Sequence, residues 1–212
     1  MADVLDPPTV ASHGAAGSTR TAEATTPAAA GTGAPTDERA LERGIRTAKP
    51  ASLAAQLASA RLATARYATS LGAAKADGYR IITRDIPNMG WHFMNPKIQD
   101  FDVRRPPILV YEKTSPTTWQ LAALEWVFPK KPAKSPFPSA RYGSFPAACH
   151  YDDGTFVPQA SQDRCAKTAP DTGAAFTFWH PDLVTLHVWL WYPNPDGFFA
   201  SYNPLVKPFN GG

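Results

Sequence analysis

The chain has 212 residues, 43% of them hydrophobic, and 21 Lys and Arg against 18 Asp and Glu leave a net charge of +3. That balance is too mild for a nucleic-acid footprint, and Lys130, Lys131 and Lys134 are interrupted by prolines and read as a solvated loop. No stretch approaches the roughly 20 apolar residues that a helix needs to cross a membrane.

Residues 1–50 are rich in Ala, Thr, Gly and Pro, with few large apolar side chains beyond Val4, Leu5 and Leu41. Such a segment buries too little apolar surface to offset its ordering entropy and reads as disordered low-complexity sequence. Its start lacks a charged region followed by an apolar one, so no signal peptide is read there. Either the chain is cytosolic, or an export signal was removed or lies upstream. Residues 51–212 fit one globular domain.

Within that domain, Ser52 to Asp77 predicts one long helix. It lacks proline, carries Leu53, Leu57, Ala60, Ala63, Tyr67 and Leu71 at helical spacing, and is bounded by Ser52 as N-cap and Gly78 as stop. Tyr79 to Thr83 is a short strand. Ile108 to Glu112 and Trp119 to Phe128 predict a hairpin, with Pro106 and Pro107 limiting where it begins. The stretch 129–177 is dense in turn formers and reads as a long loop. Leu183 to Tyr192 is the last and strongest strand. The predicted class is α+β: an antiparallel sheet or small barrel with one long N-terminal helix packed on it and long Pro/Gly-rich loops.

Cys149 and Cys165 are the only cysteines. A disulfide between them would staple the loop, contributing about 3 kcal/mol in the chain-entropy model, and would favour an exported protein. Free thiols, or metal ligation by Cys149 with the adjacent His150, are the alternatives.

Strand alternation sorts the candidate site residues. Trp119, Leu121, Ala123, Glu125 and Val127 are expected on one face, so Glu125 is the only charge on an apolar surface. In the last strand, Thr185, His187, Trp189 and Trp191 share a face. If these faces align, Glu125 and His187 enter one cavity, and His92 in Met89-Gly90-Trp91-His92 closes it. Two imidazoles and a carboxylate are the ligand set of non-haem iron sites and also suit zinc, so the expected cofactor is a divalent transition metal (Zn, Cu or Fe). His180 and His150 are reserve ligands, with His150 expected to be exposed. Affinity is expected to fall as pH drops through the imidazole range near 6.5.

Trp91, Trp126, Trp189 and Trp191 would wall a pocket for an apolar or sugar-like ligand. The leading reading is a metal-binding protein, a mononuclear metalloenzyme of oxidoreductase or hydrolase type. The alternative is a non-enzymatic small-molecule or carbohydrate binding module. Against both stands a bland reading, in which His187 is a core histidine bonded to a carbonyl and Glu125 pairs with Arg80, Arg84 or Arg141. HExxH, nucleophile-elbow, P-loop and dinucleotide motifs are lacking.

Several segments carry a family pattern: Ala60 to Tyr67 running to Ala76-Asp77-Gly78-Tyr79, Met89-Gly90-Trp91-His92 leading to Asn95-Pro96, and the Tyr111-Glu112 strand. Leu121 with Glu125-Trp126 and Pro129 follows, then Leu186-His187-Val188-Trp189-Leu190-Trp191 and Asn194-Pro195 with Gly197. In these the chain resembles, over about 60–204, a family of uncharacterised and often exported actinobacterial-type proteins. The resemblance implies boundaries and a site rather than a reaction. Many members place a second histidine four residues before the one matching His187. Here that position is Leu183, with His180 or His150 as the substitute.

Overall fold

The computed structural model describes residues 51–208. The expectation for 1–50 lies outside the described residues. The described chain is α+β and mostly antiparallel sheet, as the sequence predicts, but its helix is not one long rod.

Helix α1 spans Leu53–Thr64, with the Ser52 side chain accepting from the Ala55 N–H. It buries Leu57, Ala60 and Thr64 on one stripe. A single 3-10 turn, Ala65–Tyr67, follows, and helix α2, Leu71–Ala76, restarts with Ser70 accepting from the Ala73 N–H. The break has a physical cause. The Tyr67 carbonyl accepts from Tyr111 Oη at 2.9 Å, and the Ala68 carbonyl accepts from the Leu121 N–H at 2.8 Å. Carbonyls given to the sheet are lost to the helix ladder, and Ser70 is a better cap than an interior residue. At the far end Gly78 (φ 103°) stops α2 as expected. Its N–H bonds the Lys75 carbonyl and the Tyr79 N–H bonds the Ala74 carbonyl, a Schellman ending that favours glycine.

The strands, in chain order, are β1 Arg80–Ile86, β2 Gly90–Met94, β3 Ile108–Lys113, β4 Trp119–Phe128, β5 Gly143–Phe145, β6 Ala148–Tyr151, β7 Phe156–Pro158, β8 Phe176–His180 and β9 Leu183–Val188. A six-stranded sheet runs β1-β2-β3-β4-β9-β5, and a three-stranded sheet runs β7-β6-β8. Every pairing is antiparallel. The stretch expected as one long loop thus contains most of the smaller sheet. The last strand stops at Val188, short of the expected Tyr192, because the Trp191 and Tyr192 N–H groups turn to the Ala122 carbonyl.

One face of the larger sheet packs with the helices in the main core, through Phe93, Leu109, Tyr111, Leu121, Leu124 and Leu186. Each such fully buried side chain stabilises by about 1.5–3 kcal/mol. Leu121 shares this face with Leu124 and Trp126, whereas alternation alone would set it beside Glu125. The reason is a bulge: Val110 pairs with Ala123 and Tyr111 with Leu121, which leaves Ala122 as the extra residue.

The smaller sheet is held by the Cys149–Cys165 disulfide (Cα–Cα 5.7 Å), as expected. It meets β1 where the Gly154 carbonyl accepts from the Arg84 N–H and Asp153 pairs with the Arg84 guanidinium. Gly154 (φ 83°) is required there, since a Cβ would stand 2.6 Å from Ile81 Cδ1.

Candidate metal centre

His92 on β2, Glu125 on β4 and His187 on β9 are each preceded or followed by residues of the helix-side core: Phe93, Leu124 and Trp126, Leu186 and Val188. Alternation therefore sends all three to the opposite face. Register completes the placement, because Glu125 lies directly across from His187 in the β4–β9 ladder. Their side chains meet in a cavity of about 240 Å³ between the two sheets. Its apolar wall includes Ile82, Ile86, Met94, Ile108, Phe145 and Phe178.

The His92 Nε2–Glu125 Oε2 distance is 3.6 Å and the His187 Nε2–Glu125 Oε1 distance is 3.5 Å. One ligand atom from each residue can be chosen so that all lie within 4.8 Å of one another. All three side chains are buried. Separations of 3.5 and 3.6 Å are too long for hydrogen bonds. They match the roughly 3.4 Å edge of a tetrahedron whose metal–ligand arms are about 2.1 Å. Both nitrogens of His187 are buried without a hydrogen-bond partner. Leaving such a group unpaired costs about 1–3 kcal/mol, and the three side chains are close enough together to hold a metal ion.

Burial pushes Glu125 up to about 8, and lowers His187 to about 4. His92 falls to about 3, first through burial and then through the neighbouring His187. Without an ion, all three groups are driven toward their neutral forms. A divalent cation reverses that preference at Glu125 by favouring its carboxylate.

Thr83 on β1 completes the setting. Its Oγ1 stands 2.8 Å from His92 Nδ1, which fixes the ring and leaves Nε2 facing Glu125. Sequence reasoning missed Thr83. Its only trace there was a β-branched residue in a short strand.

The carbonyl-bonded histidine and arginine-paired carboxylate of the bland reading are not what the described residues show. Arg84 is engaged by Asp153, and Arg80 bonds the carbonyls of Lys75 and Tyr79.

His150 and His180 line the same cavity from the smaller sheet. His150, expected to be exposed, is buried at 1% exposure on β6 and stacks on Phe178 (ring centroids 4.5 Å apart, planes 1° apart). His180 is half-buried at the end of β8. Leu183 also lines the cavity.

The expected tryptophan walls are corrected. Trp126 packs against Phe101 and Phe137, and Trp91 against Trp119. As immediate neighbours of Glu125 and His92 in their strands, they face the other way. Trp191 lies under Arg61 and donates to Thr64 Oγ1 at 2.9 Å. Trp189 stacks nearly parallel with His187 (planes 12° apart) but does not line the cavity, and its Nε1 donates to the Ala200 carbonyl.

No family model, curated protein or solved structure matches the chain. The described residues contain no helix long and apolar enough to cross a membrane.

Proposed function

We propose that the protein binds one divalent transition-metal ion through His92 Nε2, Glu125 and His187 Nε2. The observation that carries this reading is His187, whose two buried nitrogens lack any protein partner while Glu125 Oε1 stands 3.5 Å away. Two imidazoles and a carboxylate suit iron(II) and zinc, and three protein ligands leave positions open for water or substrate. Such an ion would supply Lewis-acid polarisation of a ligand in the cavity. The protein's own part is to hold the ligands, fix the His92 ring through Thr83, and surround the site with apolar walls. A small, largely apolar molecule fits those walls better than a sugar, which would want the tryptophan platforms that lie elsewhere. The disulfide supports an exported protein in an oxidising compartment. The same His92, Glu125 and His187 stand in the segments that carry the resemblance to the exported actinobacterial-type family, in which we place the chain as part of this proposal.

A second reading, a metal-free binding module, rests on the same apolar cavity. Metal analysis of untagged protein separates the two. The proposal expects one equivalent of transition metal at this site, which is removed by His187→Ala and held more weakly in Glu125→Gln. Less than about 0.1 equivalent of every transition metal, with no uptake on titration, would leave the binding module standing.

A further inference from the structure

The cavity holds a second imidazole arrangement that the His92, Glu125 and His187 cluster does not use. His150 Nδ1 lies 2.7 Å from the Ile82 carbonyl oxygen, and His180 Nδ1 lies 2.6 Å from the Pro181 carbonyl oxygen. A carbonyl only accepts, so each Nδ1 carries its proton. The remaining atoms, His150 Nε2 and His180 Nε2, face each other at 3.0 Å. In neutral rings both bear lone pairs, and two acceptors at that distance repel unless something positive lies between them.

We infer that His150 and His180 hold a second transition-metal ion in the cavity, separate from the ion of His92, Glu125 and His187. For metal–nitrogen bonds of about 2.05 Å, a 3.0 Å separation corresponds to an angle of roughly 94° at the ion. Opening that separation by about 0.3 Å reaches the tetrahedral angle. Each ring already has the second-sphere partner that metal-bound histidines use, an Nδ1–H donated to a backbone carbonyl. The two rings are fixed by different means. His150 is clamped by its stack on Phe178, while His180 ends β8 just before Pro181.

The site is built by chain connection as well as by packing. Only Pro181 and Asp182 separate His180 on β8 from the start of β9, which carries His187. Two imidazoles with open positions would accept a donor atom from a molecule lying in the shared cavity. That molecule then meets one ion from each sheet.

The second ion has ligands of its own, so the two sites can be counted separately. The full chain is stripped with a chelator, equilibrated with zinc(II) and desalted, and the retained zinc is counted. Two equivalents are expected in the unaltered protein. His180→Gln, at a half-buried position, is expected to retain one, and so is His187→Ala. The double variant is expected to retain none, and circular dichroism checks that each is folded. One equivalent in the unaltered protein, lost in His187→Ala and kept in His180→Gln, would overturn the second ion while sparing the first. It would mean that a shared proton relieves the facing lone pairs. One equivalent lost in His180→Gln and kept in His187→Ala would overturn the first site instead. One equivalent lost in both would show a single ion shared by all five residues, and would also reject a separate second ion.

Discussion

Glu125 stands directly opposite His187 in the β4–β9 ladder, and its Oε1 lies 3.5 Å from His187 Nε2 with no proton-sharing contact between them. Adjacent antiparallel strands bring facing Cβ atoms to about 4.5–5.5 Å, so a carboxylate and an imidazole placed across a ladder converge without any loop to steer them. The rigidity of the sheet is therefore the rigidity of the ligand set.

Thr83→Val is expected to weaken metal binding by about 10–100-fold while leaving the fold intact, because it removes the Oγ1 partner of His92 Nδ1 and keeps the shape. Competition against a chelating dye measures the change. An affinity equal to that of the unaltered protein would show that His92 needs no such anchor.

The pH dependence of metal uptake is expected to follow Glu125 rather than the histidines. Burial lowers His92 to about 3 and His187 to about 4, so both rings are already neutral in the range near 6.5 that the sequence suggested. Glu125, raised to about 8, is the group that must lose a proton. Between about pH 5 and 7.5, binding should release one proton and affinity should rise roughly tenfold per pH unit, levelling off above 8. Calorimetry in buffers of different ionisation enthalpy counts the proton. No proton release at pH 6.5 would contradict the assignment.

Stability of the metal-free protein is expected to peak between about pH 6.5 and 7. His92, His150 and His187 have lowered values in the folded state, so their contribution is present above their ordinary value and is lost as pH falls toward 4. Glu125 is raised, so its contribution is present below its ordinary value and is lost as pH rises toward 8. Melting temperatures across this range should trace the peak, and Glu125→Gln should flatten its alkaline side. An alkaline side unchanged by that substitution would place the titration elsewhere.

Reducing the Cys149–Cys165 bond is expected to cost about 3 kcal/mol, the loop-closure contribution for a cross-link of this span. Denaturant unfolding with and without a phosphine reductant gives the difference. A loss under about 1 kcal/mol would mean that the loop is ordered by its own hydrogen bonds.

Much of this arrangement was legible in the residues. Pro106 and Pro107 before an apolar run, and the turn before Trp119, marked the β3–β4 hairpin almost to the residue. Glu125 declared itself as a lone charge on an apolar face. The smaller sheet was hidden, since three-residue strands such as Phe156–Pro158 are too short to show alternation and sit among prolines and glycines. That concealment is also why His150 read as exposed. The tryptophan walls failed against information already in the chain: Trp91 and Trp126 are adjacent to His92 and Glu125, and neighbours in a strand point to opposite faces. The helix break at 65–70 was invisible because its cause is the Tyr111 hydroxyl and the Leu121 N–H, which lie far away in sequence.

The bulge at Ala122 has an effect beyond the strand that contains it. Leu121 and Ala123 already point to opposite faces, so deleting Ala122 would leave the other side chains of β4 aimed where they are now. What would vanish is a peg. The Leu121 N–H beside the bulge fastens the segment that follows α1, and the Ala122 carbonyl fastens the segment that follows β9. The two extremities of the domain are thus registered against one irregular point of a local hairpin. The segment after α1 needs a donor there and the segment after β9 an acceptor, and both are in place only once that hairpin has paired with its extra residue, so β3 and β4 are expected to pair early in assembly.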